Sequence, residues 1–373
     1  MNYYIISGEA SGDLHGSNLI KKISALDNEA NIHCWGGDLM QASGGKIIKH
    51  YRDLAFMGFS EVIRNLPTIF KNIAFCKKDI LAFQPDVLIL IDYPGFNLRI
   101  AKWAKKQGLK VVYYISPQIW AWKENRIHSI KNNVDKMLVI LPFEKEFYKK
   151  WDYEVSYVGH PLIEVIEDFV NNNQSVKLFP QENKKLIALL PGSRKQEILK
   201  KLPIMLEVAS KFPAYQFIVA KAPGISEDFY NNMLAPYKNV SSVVDKTYPL
   251  LSESVAALVT SGTATLETAL FKVPQIICYK GNSLSYQIAK RLIKIKFIGL
   301  ANLIMDKAVV KELIQDDLTV ENISAELNLL LHNQQKRNQV LEDYNQLTSI
   351  LSKGGKASSN AAKIIIDYLH QVN

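Results

Sequence analysis

The sequence predicts an α/β protein of two doubly wound, parallel-sheet domains, and three observations carry that expectation. An apolar strand, Tyr3-Tyr4-Ile5-Ile6, runs straight into Ser7-Gly8-Glu9-Ala10-Ser11-Gly12-Asp13-Leu14-His15-Gly16 and then into helical spacing at Leu19, Ile20 and Ile23. The same grammar restarts at Leu186-Ile187-Ala188-Leu189-Leu190, turns through Pro191-Gly192-Ser193-Arg194 and enters a helix from about Lys195. After each start, short apolar runs alternate with helical stretches, as βαβ units require.

In the first half, strands are expected at 3–6, 32–35, 86–91, 111–115, 137–141 and 155–158. Helices are expected near 15–25, 60–82, 98–106, 125–131 and 143–150. The connections carry Gly36-Gly37, Gly44-Gly45, Pro94-Gly95, Ser116-Pro117 and Gly159-His160-Pro161, residues that end regular structure. The polar run Asn171-Asn172-Asn173-Gln174-Ser175 reads as the linker. It divides a first domain, 1–170, from a second, 171–345, with a helical tail over 346–373. Second-half strands are expected at 186–190, 216–220, 240–244, 256–259 and 274–279. A last helix, Ala357 to Leu369, follows Lys353-Gly354-Gly355-Lys356 and is expected to pack back on the first domain.

A chain of 373 residues, 48% hydrophobic and 22% charged, can bury two sizeable cores. Its net charge of +9 suits an anionic partner (a phosphorylated ligand, an anionic lipid surface or nucleic acid), although composition alone favours a solvated lysine-rich surface. Cys34, Cys76 and Cys278 are too scattered for a disulfide framework or a Cys-x-x-Cys site. They read as reduced core thiols, which fits the cytoplasm. No signal peptide is expected, and no 18-residue apolar run could span a bilayer. There is no Asp-x-Asp triplet and no histidine pair at ligand spacing, so no metal is expected. An arginine-rich helix and an aromatic–basic ladder are both lacking, which argues against nucleic acid.

Several strand ends carry candidate chemistry. The opening loop lacks the G-x-G-x-x-G spacing of dinucleotide sites, and Glu9 would repel a pyrophosphate. It reads either as a tight turn or as a polar pocket for sugar hydroxyls, with Glu9, Ser11 and Asp13 as its polar side chains. Asp92, at the carboxyl end of strand 86–91, stands where open α/β sheets bind ligands, and partial desolvation there suits a general base. It could equally cap the helix after Pro94. Trp120 and Trp122 suit a wall for a sugar ring or acyl chain, or interdomain core; Arg126 and His128 follow on a helix. Gly192, Ser193 and Arg194 offer close backbone approach, helix N–H groups and a planar cation to a phosphate. Ser261, Gly262, Thr263 and Ala264 open a second helix suited to a diphosphate, with Glu267 placed to reach ribose hydroxyls, or else to close a capping box.

Taken together, the motifs resemble those of the lipid-A-disaccharide synthase family. They are SGEASGDLHG, GG-x-x-M at 36–40, MGFSEV at 57–62, IDYPGFN at 91–97, YYISPQIWAWK at 113–123, LPFEKEFY at 141–148, VGHP at 158–161, LLPGSRKQEI at 189–198 and SGTATLE at 261–267. They occur in the family's order, and the resemblance extends through Ala301-Asn302-Leu303. It implies the GT-B fold and an inverting, metal-independent glycosyltransfer without a cofactor. UDP-2,3-diacylglucosamine would be joined to 2,3-diacylglucosamine 1-phosphate, giving UDP and a β-1,6 disaccharide for lipid A. By motif, Asp92 corresponds to the catalytic base, Arg194 to the diphosphate ligand, Glu267 and Asn302 to nucleotide-side contacts, and Glu9 to the opening active-site loop. Tyr93 and Gly95 stand where some relatives carry other residues, whereas Asp92, Pro94, Phe96 and Asn97 match. Within the same fold the rivals are a UDP-sugar 2-epimerase and a transferase acting on a lipid-linked acceptor; from another class, a basic nucleotide-binding module.

Acylated substrates imply a membrane. In 60–82, Ile63, Leu66, Ile69, Phe70 and Ile73 recur at helical spacing among Lys71, Lys77 and Lys78. That stripe would either pack into the first domain or dock on an anionic leaflet. The second outcome places the protein peripherally on the cytoplasmic face of the inner membrane. A homodimer is also an expectation.

Overall fold

Buried on both faces, the inner strands of a doubly wound sheet are apolar, and that is how the central strands of both sheets of this chain are written. The computed structural model describes residues 1–54, 66–172, 179, 184–282, 286 and 295–372. Its contacts define two units, Met1–Pro161 with Leu351–Asn373, and Leu162–Ile350. MGFSEV and Ile63 lie outside the described residues.

In the first unit the strands are β1 (Asn2–Ser7), β2 (Asn31–Gly36), β3 (Lys46–His50), β4 (Val87–Ile91), β5 (Val111–Tyr114), β6 (Lys136–Val139) and β7 (Ser156–Tyr157). All neighbours pair in parallel, in the order β3-β2-β1-β4-β5-β6-β7. Alternate side chains feed two cores. Tyr4, Ile6, Leu88, Leu90 and Tyr113 pack with Ile73, Cys76, Ile80 and Ile100, while Tyr3, Ile5, Ile89 and Tyr114 pack with Leu19, Ile20 and Ile23. The last helix, Ala357–Val372, completes the second of these with Ala361, Ile365 and Leu369, as expected from the sequence. Asn360 Nδ2 ties it down by donating to the Val158 carbonyl at 3.0 Å.

The second unit holds β8 (Lys185–Leu190), β9 (Tyr215–Lys221), β10 (Val240–Val244), β11 (Ser254–Thr260), β12 (Gln275–Tyr279) and β13 (Glu312–Ile314). They too are parallel, in the order β10-β9-β8-β11-β12-β13. In each sheet the strand order reverses beside the first strand, between β1 and β4 and between β8 and β11. The crevice outside the carboxyl ends at such a reversal is where doubly wound sheets take ligands.

Three features depart from the sequence expectation. The first helix spans Ala10–Leu26, beginning well before 15, because Gly12 and Gly16 lie inside it. A Cβ on Gly12 would stand 2.8 Å from the Ser7 Cβ, and one on Gly16 2.7 Å from the Met40 sulfur, so these glycines serve close packing. The strands β3 and β13 were not anticipated. One is a half-buried edge strand and the other has only three residues. Finally, the helix Pro161–Asn172 groups with the second unit, where Phe169 sets its ring edge-on to Tyr248 and Phe271 at 5.6 and 5.7 Å.

Candidate active site

At the end of β4 the backbone makes an unusual turn. Asp92 and Tyr93 are consecutive and both left-handed, with φ of 44° and 49°, a conformation costing each about 1–3 kcal/mol unless the surroundings impose it. The surroundings do. Buried Asn97 donates from Nδ2 to the carbonyls of Ile91 (3.2 Å) and Asp92 (2.7 Å), and the Tyr113 hydroxyl donates to the Asp92 carbonyl at 2.5 Å. The Tyr93 ring lies over Gly8, where a Cβ would come within 2.4 Å of the ring. Any larger residue at 8 would evict it. The helix Pro94–Lys106 begins after Tyr93 with no side-chain cap, so Asp92 is not spent as one.

The Asp92 carboxyl is open to water yet surrounded by protein. Desolvation by that crowding, followed by the negative charge of Glu9, raises its pKa from 3.8 to about 6, against a backbone hydrogen bond at Tyr93 that lowers it. Glu9 precedes the first helix turn in extended conformation and is half-buried, and Ser11 is exposed on that turn.

Asp13 proves to have another task. It is 3% exposed, and its two oxygens accept the backbone N–H groups of Gly37 (2.8 Å), Leu39 (3.1 Å) and Met40 (3.0 Å). That carboxylate brackets the Gly36-Gly37 turn, a task the sequence did not reveal.

In the second unit, β8 is followed by Gly192, with φ of +114°, and Arg194 precedes the seventeen-residue helix Lys195–Lys211. Arg194 is half exposed, and its Nη1 donates to Glu197 Oε1 at 3.1 Å. The other oxygen of Glu197 faces Lys201 Nζ at 3.6 Å, and Lys201, only 3% exposed, also donates to Thr260 Oγ1 at the end of β11. Burial lowers the Lys201 pKa, and Glu197 opposes that fall. A Cβ at Gly192 would stand 2.8 Å from Glu197 Oε2. Sequence reading missed Glu197 and Lys201, although their i,i+4 spacing on a helix was the available signal.

Beyond β11, Gly262 and Thr263 are exposed at the start of the helix Thr263–Leu270, and Ser261 and Ala264 are partly so. Ser261 Oγ donates to the Ile298 carbonyl at 3.1 Å. Glu267 accepts the Tyr248 hydroxyl at 3.0 Å, and burial raises its pKa. Asn302 is fully buried. Its Nδ2 donates to Val310 O and Glu312 Oε1, each at 2.9 Å, and its Oδ1 accepts from Val310 N at 3.0 Å. Glu312 in turn accepts the N–H groups of Ile298 and Gly299, both at 3.0 Å. Asn302 therefore fixes the turn that Ser261 leans on. Among the described residues no cluster of three His, Cys, Asp or Glu side chains could hold a metal ion.

A family model described as lipid-A-disaccharide synthetase matches residues 3–366. The lipid-A-disaccharide synthase of Geobacter metallireducens is 38% identical over 371 residues, covering 98% of this chain and 96% of its own. That of a Coxiella burnetii strain is 38% identical over 366 residues, covering 97% and 96%. Among solved structures, a UDP-GlcNAc 2-epimerase from Neisseria meningitidis bound to UDP-GlcNAc aligns with a TM-score of 0.70 at 14% identity over 100% of both chains. The glycotransferase of kitacinnamycin aligns with a TM-score of 0.68 at 13% identity, covering 98% of each. These structural likenesses carry the fold, which is GT-B.

Proposed function

The chain belongs to the lipid-A-disaccharide synthetase family, and from that membership we propose how its two units divide the transfer reaction. It is a glycosyltransferase of lipid A biosynthesis. The donor is UDP-2,3-diacylglucosamine and the acceptor 2,3-diacylglucosamine 1-phosphate. The observation that carries the assignment of the base is Asp92, presented by a strained turn at the sheet reversal with its pKa raised to about 6.

The acceptor 6-hydroxyl oxygen attacks C1 of the donor sugar and its proton passes to the Asp92 carboxylate. The bond from C1 to the diphosphate oxygen breaks, and its electron pair leaves with UDP. Attack opposite the leaving group inverts C1 and gives the β-1,6 linkage, through an oxocarbenium-like transition state. Negative charge growing on UDP is met by Arg194 and by the N–H groups opening the helices Lys195–Lys211 and Thr263–Leu270. Glu267, oriented by Tyr248, is the ribose ligand. Because the leaving group is matched by fixed cations and dipoles, turnover should persist in excess chelator.

We propose that membrane docking uses the outward part of the apolar stripe with further residues of the same helix. Ile73 is core and Ile69 packs against it, while Leu66 has no described side chain. Phe70 (58% exposed), Phe75 (47%) and Leu81 (51%) point outward on the helix Leu66–Phe83, with Lys71 and Lys78 among them. This apolar and basic face is the one suited to an anionic leaflet. No helix among the described residues is long and apolar enough to cross a membrane.

The deciding experiment incubates purified protein with both acylated substrates and seeks a disaccharide 1-phosphate by mass. Consumption of UDP-sugar without acceptor, yielding its 2-epimer, would replace this reading with the epimerase.

A further inference from the structure

The loop after β5 is held rigidly from beneath. Ile115, a β-branched residue, takes φ of +66°, pinned by its N–H to the Leu138 carbonyl at 3.0 Å. Ser116 Oγ shares a 2.6 Å hydrogen bond with the buried Tyr148 hydroxyl. Trp120 Nε1 donates to Glu144 at 3.2 Å, and Glu144, 1% exposed, also accepts the N–H groups of Ile140 and Leu141.

On this base the next three functional groups face outward. Trp122 is 47% exposed. Lys123, itself left-handed at φ of +56°, sets Nζ 4.3 Å from the Trp122 ring centre, and the Arg126 guanidinium lies 5.6 Å from the same centre. Two cations thus share one indole. Among the described residues neither forms an ion pair with a carboxylate. Desolvation, then the charge of Arg126, lowers the Lys123 pKa, as two close cations require. The pair also stands on the catalytic side of the sheet. Of the charges that reach the buried Tyr113 hydroxyl, Asp92 and Arg126 act in opposite senses, and that hydroxyl donates to the Asp92 carbonyl.

We propose that Lys123 and Arg126, held over Trp122, bind the phosphate monoester of the acceptor sugar. A planar guanidinium fork and a point-charge ammonium together match a phosphate dianion, and the indole face suits a pyranose ring. The donor's phosphates are substituted at both ends and have their own ligands in the second unit. A monoester is what distinguishes the acceptor. The assignment rests on the transferase reading, so its test has an arm that does not.

With saturating donor, the kcat/KM of the full-length enzyme is compared for the acceptor 1-phosphate and the acceptor lacking it. In Arg126→Gln and Lys123→Gln the acceptor KM should rise roughly 10–100-fold, with UDP affinity retained. The preference for the phosphorylated acceptor should fall toward one, and Arg126→Lys should restore part of it. Equal losses on both acceptors would overturn the proposal. So would loss of binding to phosphatidylglycerol vesicles with acceptor KM unchanged, which would assign the cations to lipid headgroups. Calorimetric titration with glucosamine 1-phosphate and with glucosamine needs no turnover. Phosphate-dependent binding that Arg126→Gln abolishes supports the site even if the reaction is another one; equal binding by the variant refutes it.

Discussion

Replacing Asp92 by Asn removes the proposed base while keeping the turn that presents it. Asn is among the few residues that tolerate the left-handed region, so φ of 44° at position 92 survives, and the Asp92 backbone carbonyl still receives Asn97 and Tyr113. Loss of a general base costs roughly 10²–10⁴ in rate, about 3–5 kcal/mol of barrier. UDP affinity should hold, because the proposed diphosphate ligands belong to the second unit. The pH profile supplies an independent check. With a pKa of about 6, roughly nine-tenths of Asp92 is ionised at pH 7 and roughly a tenth at pH 5. The kcat/KM of wild type should therefore fall with an acid limb at or somewhat below pH 6, and the Asn variant should lack that limb. The stability effect runs the other way. A carboxyl whose folded pKa lies above 3.8 favours the fold when protonated, and that contribution is lost as pH rises through about 6. The variant should accordingly melt no lower than wild type at pH 7.5. Steady-state rates from pH 5 to 9, thermal melts and UDP titration cover all three points. A folded variant turning over within tenfold of wild type, or keeping the acid limb, refutes the assignment.

Arg194→Ala should weaken UDP binding and slow transfer, whereas Arg194→Lys should recover only part, since an ammonium lacks the planar fork; unchanged affinity and rate would remove Arg194 from the site. Phe70→Ser combined with Leu81→Ser should leave the melt intact, both side chains being outside the core, and should reduce sedimentation with anionic vesicles in a salt-sensitive way. Pelleting equal to wild type would dismiss that face. Burial raises Glu144 from 4.5 to about 7, so its contribution, roughly 3 kcal/mol at most, is present below pH 4.5 and lost as pH rises through 7. Wild type should lose melting temperature between pH 5 and 8 more steeply than Glu144→Gln does, and parallel curves would show that Glu144 does not titrate there.

Much of the architecture was legible because strand apolarity and glycine-marked turns are local signals. Tyr3–Ile6 and Leu186–Leu190 each announce a first strand, and the groups after them, with Asp92 and Ser261, all fall at carboxyl ends beside a reversal. What escaped was whatever depends on distant partners. Asp13 looks like a ligand in its loop, but its hydrogen-bond donors are 24 to 27 residues away at Gly37 and Met40. Asn302 is similar: Val310 and Glu312 consume it through a fold that spacing does not reveal. The stripe containing Ile69, Phe70 and Ile73 divides between core and surface for a related reason. Helical periodicity gives a face but not its direction, and packing turned Ile73 inward and left Phe70 and Phe75 outside.

The carboxylates show why residue type alone cannot assign chemistry in such a site. Asp13 accepts three backbone N–H groups, so its oxygens are engaged in holding a turn. Glu197 lies between Arg194 and Lys201, and it fixes the guanidinium when no phosphate is present. If Arg194 binds the diphosphate as proposed, the buried Lys201 would remain to neutralise the partly exposed Glu197. Without Lys201, Glu197 would compete for Arg194 against the ligand. Asp92 alone combines protein crowding, a neighbouring negative charge at Glu9 and a face open to water. Those three conditions make a carboxylate both basic enough to take a proton near neutral pH and accessible enough to meet a hydroxyl. Asn97 and Tyr113 hold the strained backbone at 92 and 93, so under the proposed mechanism they matter to the reaction as much as to the fold.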